Sequence, residues 1–247
     1  VIGADGMHST VRRDIFGAEE RFARHTGMAA CVISVPNYLD LDRWELIHAT
    51  PGKVVQVYST HRSVAKAQFL FPAPDQLLDR GDISAQQRLV AEVFADGGWE
   101  VANLLGAMPE SPDFYFDTVS QIHLEQWSSG RVALIGDAAY CPSPLSGQGT
   151  SMALVGAYVL AGELRAAAGD HRVAFAAYQE RMREYIDENL ALGWNNATRM
   201  VVGDARALRL QMTMMRMLRW MPWKGLALRS IMKPIEKAAN AIRLERY

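Results

Sequence analysis

One stretch restricts the fold of this chain more than any other. Gly130-Arg131-Val132-Ala133-Leu134-Ile135-Gly136-Asp137-Ala138-Ala139 is followed by Pro142, Pro144, Gly147, Gln148 and Gly149. Val132–Ile135 reads as a buried strand that closes at Gly136, and a long helix starts directly after Gly149. Open α/β sheets bind ligands just beyond the carboxyl ends of their strands, and Asp137 stands at that end. Its carboxylate can accept hydrogen bonds from sugar or ribityl hydroxyls. Ala138 and Ala139 leave room for a large planar ligand. Gly147 and Gly149 allow the backbone to come close. The amides and dipole at the start of the helix, around Gln148, Thr150 and Ser151, stabilise negative charge. A reduced flavin carries its charge at N1 and the C2 carbonyl, so the site suits a flavin.

A second motif lies at the start of the chain, Gly3-Ala4-Asp5-Gly6-Met7-His8-Ser9-Thr10-Val11-Arg12. Asp5-Gly6 gives a tight turn, Ser9 is suited to cap the helix Ser9–Phe16, and Arg12 puts a fixed positive charge on it. That charge is expected to face a pyrophosphate or a carboxylate.

Between the motifs, Met28–Val35, Glu45–Ala49, Val54–Thr60 and Val64–Phe71 read as strands, with turn signals at Pro51-Gly52 and around His61–Ser63. Their spacing suggests an antiparallel sheet. Ser84–Ala95 reads as a helix capped by Ser84, and Asp117–His123 as a strand. Thr150–Ala167, Val173–Leu192, Asn195–Arg219 and Lys224–Ile242 are expected to be helical, with Pro222 and Pro234 breaking or kinking the last two. Met28, Val57, Phe69 and Phe71 read either as sheet core or as the lining of a substrate chamber.

The two motifs together resemble the class A FAD-dependent aromatic monooxygenases, the fold group of para-hydroxybenzoate hydroxylase. Asp5–Arg12 is similar to the D-G-x-x-S-x-x-R motif of that group, and Gly136-Asp137 with Pro144–Gly149 is similar to its second flavin motif. The bacterial tetracycline-inactivating and polyketide-tailoring enzymes resemble the chain most. The resemblance covers roughly Val1–Leu190. It implies an α/β (α+β) architecture with three parts. Residues 1–17 and 100–192 form a partial Rossmann-like FAD-binding domain, 18–99 an inserted antiparallel substrate-domain sheet with a helix, and 193–247 a C-terminal helical region. It also implies cofactor contacts from Gly136, Asp137, Pro144, Gly147, Gln148, Gly149, Thr150 and Ser151, with Asp137 on the ribityl chain and Pro144 near the reactive side of the flavin. Asp5, Gly6 and Arg12 are implied near the FAD pyrophosphate or the NAD(P)H path. The implied reaction uses NAD(P)H and O2, forms a flavin C4a-hydroperoxide, and hydroxylates an aromatic or polyketide-like small molecule; the hard chemistry is the cofactor's.

The G-x-G-x-x-G turn that opens such a domain is not within Val1–Tyr247. Val1-Ile2-Gly3-Ala4 reads as the end of a strand, so an upstream segment is expected. Without it, Val1–Ala4 and Val132–Ile135 are expected to carry unpaired edges and the isolated chain to bind FAD poorly.

Composition excludes other classes. With net charge −1 the chain as a whole is not a nucleic-acid binder. Two cysteines, Cys31 and Cys141, make no disulfide framework, which fits a reducing, cytoplasmic setting. The six histidines show no metal-ligand spacing, and no side chain stands out as a nucleophile. Charge is unevenly spread: Arg199–Tyr247 holds 11 Lys/Arg and 3 Asp/Glu, a local balance of +8 that leaves −9 for the remainder. That tail also carries Met212, Met214, Met215, Met217, Trp220, Met221 and Trp223. Packing against the acidic body in cis is the favoured expectation; contact with an anionic membrane is the alternative. The latter suits a prenyl-lipid or quinone-ring flavoprotein. An inactive fragment is a further alternative. A halogenase is discounted, because Trp220-Met221-Pro222-Trp223 does not match the W-x-W-x-I-P order of that family.

Overall fold

Alternation builds the larger sheet. In β2 (Ala23–Pro36), Ala29, Cys31, Ile33 and Val35 are spaced by two and all are buried. β3 (Glu45–Thr50), β4 (Lys53–His61) and β5 (Val64–Pro72) follow as an antiparallel series. With β6 (Tyr115–Ile122) they form a five-stranded sheet in the order β3-β4-β5-β2-β6. The register places Ala29 opposite Phe71, Cys31 opposite Phe69, and Val57 opposite Ala67, so these residues share one face. That face is covered by α2 (Ile83–Val93) and α3 (Val101–Ala107) through Val90, Val101 and Leu104, together with Phe94. Phe94 packs edge-on against Phe69 at 5.1 Å and Phe71 at 5.7 Å. Val57, Phe69 and Phe71 are therefore core residues and not a chamber lining. Met28 lies out of phase with them, on the other face of the sheet.

The computed structural model describes residues 1–61, 63–74, 78–218 and 224–247. They form two compact units. One holds Val1–Thr26, Ser120–Ala197 and the described residues from Lys224 to Tyr247; the other holds Gly27–Val119 and the residues from Thr198 to Leu218. The divisions thus fall inside β2 and β6, whereas the resemblance implied 17/18 and 99/100.

In the first unit β1 (Ile2–Gly3) pairs in parallel with β8 (Val132–Leu134), and β8 pairs antiparallel with β7 (Ser128–Ser129). The expectation that both motif strands carry unpaired edges is corrected: β8 is central, with β1 on one side and β7 on the other. Behind β8 lies an aromatic core. Trp127 meets Tyr140 at 4.8 Å, and the Tyr140 and Tyr178 hydroxyls are 2.8 Å apart. α5 (Gly149–Ala166) reaches this core at Gly156, where a Cβ would lie 2.1 Å from the Tyr140 hydroxyl.

Three expectations about helices change. The cap of α2 is Asp82, whose carboxylate accepts from Ala85 N at 2.8 Å, and Ser84 lies inside the helix. α3 was not anticipated, since seven residues show too little periodicity to read. Val173–Leu192 and Asn195 onward are one helix, α6 (His171–Met200). Gly193 does not stop it: a helical Gly is only about 1 kcal/mol worse than Ala, and Ala174, Tyr178, Met182, Tyr185, Ile186 and Leu190 anchor one buried face. The break comes instead at Gly203-Asp204, and Asp204 caps α7 (Ala205–Leu218).

The basic tail divides. At the end of α8 (Lys224–Ala239) Ala238 is buried, and its carbonyl accepts from Asn189 Nδ2 at 3.0 Å. The Tyr247 ring occupies a notch at Gly162, and its hydroxyl donates to Glu163 at 2.7 Å. This part packs in cis as expected. The methionines of α7 do not: Met214, Met215 and Met217 are each more than half exposed. Trp220, Met221, Pro222 and Trp223 lie outside the described residues. Among the described residues no helix is long and apolar enough to cross a membrane.

Candidate functional site

β8 ends at Leu134; two residues on, Gly136 adopts φ 61°, and this turn delivers Asp137 to the first position of α4 (Asp137–Tyr140). The next residues bend sharply: Ser143 has φ 69°, Pro144–Ser146 form a 3-10 turn, and Gly147 is left-handed at φ 66°. Ser143 is the strained member, since a side chain in that region is rare outside glycine. Ser146 Oγ donates to Ser143 O at 3.1 Å and accepts from Gln148 N at 3.1 Å, which fixes the curl.

The loop shows two sides. Leu145 and Ser146 point inward and are buried, while Pro144, Gly147, Thr150 and Ser151 are exposed and Gln148 and Gly149 half-buried. Gly149, Thr150 and Ser151 open α5, so their N–H groups have no acceptor within the helix. Asp137 lies beside them: a Cβ on Gly149 would be 3.8 Å from Asp137 Oδ1. Desolvation raises the Asp137 pKa, and a hydrogen bond from the Cys141 thiol partly offsets this. An exposed carboxylate therefore adjoins a row of open backbone donors, with the Pro142 ring 3.9 Å from the same Gly149 Cβ position. The loop also leaves one buried polar atom, Ser143 Oγ, without a partner among the described residues. This donor and acceptor set fits the ribityl and pyrimidine side of a flavin: the carboxylate for hydroxyls, the amides and helix dipole for the anionic edge.

In the Asp5–Arg12 motif, Asp5 serves as a cap and Arg12 faces a carboxylate, one of the two partners expected for it. The Asp5 carboxylate accepts from Ser9 Oγ, from Thr10 N at 2.8 Å and from Val11 N at 3.1 Å, so it caps α1 (Thr10–Phe16) together with Ser9. Arg12 is fully buried. Its guanidinium donates to Ala138 O at 3.0 Å, to Met7 O and to Glu19 Oε2 at 2.8 Å. Facing Glu19 on one side, Arg12 also fastens α1 to Ala138, the residue after Asp137. Gly6 (φ 84°) makes the turn and remains open, with nothing near an added Cβ. Sequence reasoning missed Glu19, the buttress of Arg12, whose carboxylate also meets His8 Nδ1 at 2.9 Å. No local signal marks it, because Gly17 ends the helix and folds Glu19 back.

Asp5 gives a pH prediction. Burial pushes its pKa up, but the hydrogen bonds from Ser9, Val11 and Thr10 outweigh this and hold it at about 2, against an ordinary 3.8. A depressed carboxylate contributes stability above its unfolded pKa and loses it as pH falls toward the folded value. Asp5→Asn is expected to melt lower at neutral pH and to flatten the fall of Tm between pH 4 and pH 2. Parallel melting curves for the two proteins across that window would contradict the capping role.

The chain belongs to the FAD binding domain family, whose model matches residues 1–200. Over 190 residues it is 47% identical to the uncharacterized protein Rv1260 of Mycobacterium tuberculosis (strain H37Rv), covering 76% of this chain and 51% of that protein. Over 194 residues it is 44% identical to a flavin-dependent monooxygenase of Legionella longbeachae, covering 78% of this chain and 50% of that one. The crystal structure of tetracycline destructase Tet(51) superposes with a TM-score of 0.81 at 34% identity, covering all of this chain and 63% of that one. The chain spans about half the length of the curated relatives it matches.

Proposed function

We propose that the protein is an FAD-dependent monooxygenase that uses NAD(P)H and O2 to hydroxylate an aromatic or polyketide-like small molecule. The observation that carries this is the outward edge made by the Asp137 carboxylate, Pro144 and the amides of Gly149, Thr150 and Ser151. Asp137 would hold the ribityl hydroxyls. The α5 amides would meet the pyrimidine edge and favour its negative charge. Gly136 and Gly147 provide the backbone turns, Gln148 leads into the helix, and Arg12 holds the Ala138 carbonyl beside Asp137 from α1, which Asp5 caps and the Gly6 turn precedes; Asp5 and Gly6 would lie toward the pyrophosphate or the NAD(P)H path. When bound, the flavin would supply electron transfer from NAD(P)H and activation of O2. The likeness to a tetracycline destructase supports a fused-ring, electron-rich substrate. Two buried free cysteines, both pushed up to about 12 by burial, support a reducing, cytoplasmic setting.

A second reading has one observation in its favour. On α7, Leu210, Met214 and Met217 form an exposed apolar strip, and Arg206, Arg209 and Arg216 lie on the adjoining one. That surface suits a prenyl-lipid or quinone-ring substrate met at a membrane. The test of the first reading is direct. The full-length protein should purify yellow and oxidise NAD(P)H faster when an aromatic polyketide such as a tetracycline is added, with hydroxylated product by mass spectrometry. A colourless protein that FAD does not turn yellow would overturn the reading; flotation with anionic liposomes together with turnover of a quinone would favour the second.

A further inference from the structure

The loop that presents the candidate flavin edge is gripped from behind by side chains that neither motif contains. Gln121, near the end of β6, is 1% exposed. Its amide nitrogen donates to Pro142 O at 3.0 Å and to Leu190 O at 2.8 Å, and its oxygen meets His123 Nε2 at 2.9 Å. One buried amide thus uses both protons and its oxygen to tie β6, α6 and the start of the loop together. The backbone repeats the link one residue on, where Ile122 N donates to Cys141 O at 3.0 Å.

α6 supplies the other half. A Cβ on Gly193 would lie 2.1 Å from Pro142 O and 2.9 Å from Gln121 Nε2, so the helix approaches the loop carbonyl only because residue 193 has no side chain. Three residues further along, Asn196 Nδ2 donates to Leu145 O at 2.9 Å. Gly193 and Asn196 are spaced i, i+3 and share a helix face. They meet the loop at Pro142 and Leu145, on either side of the strained Ser143 and the exposed Pro144.

We propose that Gln121, Gly193 and Asn196 are positioning residues for the flavin: by fixing the Pro142 and Leu145 carbonyls they set where Pro144 and the α5 amides stand against the ring. The role rests on the assignment of Pro144–Ser151 as the flavin edge. The physical ground is preorganisation. Donors act on developing charge only if they are already aimed, and a strained turn holds its aim only if its surroundings over-determine it. Without the clamp, the Ser143 turn relaxes and the outward amides shift with it.

The test uses Gln121→Leu, Gly193→Ala and Asn196→Ala in the full-length protein. Gln121→Leu removes the partner of the buried Pro142 and Leu190 carbonyls and of the half-buried His123 ring. Gly193→Ala keeps every polar group but pushes the Pro142 carbonyl and the Gln121 amide that bonds it, and Asn196→Ala removes one half-buried hydrogen bond, the mildest change. FAD affinity should fall about tenfold for the first two and roughly threefold for Asn196→Ala. All three should shift the visible absorption and midpoint potential of bound FAD, which a merely structural role would leave unmoved. Lower melting temperatures with wild-type spectra, potential and affinity in Gly193→Ala and Asn196→Ala would overturn the proposal. Those two decide the matter even if Gln121→Leu does not fold. Failure of the underlying site assignment is separable, since then Asp137→Ala would also leave FAD affinity unchanged.

Discussion

Replacing Arg12 with Met is expected to destabilise the protein by about 3 kcal/mol, the lower end of the range for breaking a buried ion pair, because Glu19 keeps part of its exposure. The guanidinium is fully buried, and its loss takes a donor from Ala138 O and Met7 O and leaves Glu19 with His8 in place of the arginine. Burial lowers the Arg12 pKa and Glu19 opposes that, so the charge is held in a dry site by a specific counter-ion. In a domain of this size such a loss lowers Tm by roughly 10 °C. Lys should not rescue, because one ammonium cannot reproduce the planar fork that reaches three acceptors. Arg12→Met with Glu19→Gln should recover part of the loss, since the group that has lost the guanidinium is then neutral. Thermal melts of the two single variants and the double variant measure this coupling. Additive losses would show that the Arg12–Glu19 pair is not what the motif is for.

Asp137→Ala is expected to weaken FAD binding about ten- to a hundredfold in the full-length protein, the loss of a charge-assisted hydrogen bond of roughly 1.5–3 kcal/mol. The same residue should reveal a conflict between function and stability. Desolvation raises its pKa, so the ionised carboxylate is unfavourable to the fold at neutral pH, where it is charged in the unfolded chain as well. Asp137→Asn removes that charge and should raise Tm slightly while still weakening FAD binding. Fluorescence titration and thermal melts read the two effects separately. Unchanged affinity in Asp137→Ala would remove Asp137 from the site.

The sequence by itself determined those parts of the protein that depend on local periodicity and turn chemistry. Strands β3, β4 and β5 were readable within a residue or two because their alternation meets one buried face and Pro51-Gly52 marks the turn. The run from Gly136 to Gly149 was legible because a strand end, two special turns and a helix start each demand particular residues at fixed offsets. Ser9 was legible as a cap for the same reason.

Only the tertiary structure decided what those residues face. Arg12 reads as a charge for a pyrophosphate or a carboxylate, and only the fold shows that its partners are the Glu19 carboxylate and the Ala138 carbonyl, 7 and 126 positions away. Gly193 reads as a break between helices, yet it continues one helix and admits the Pro142 carbonyl. Gln121 carries no motif, and its three partners come from Pro142, Leu190 and His123. The methionines of α7 read as buried in cis, yet they are exposed, because apolar character states a preference for burial and not which surface supplies it. Local pattern fixes backbone conformation through short-range sterics and hydrogen bonds. The direction and partner of a side chain follow from long-range packing, which no single stretch of the chain contains.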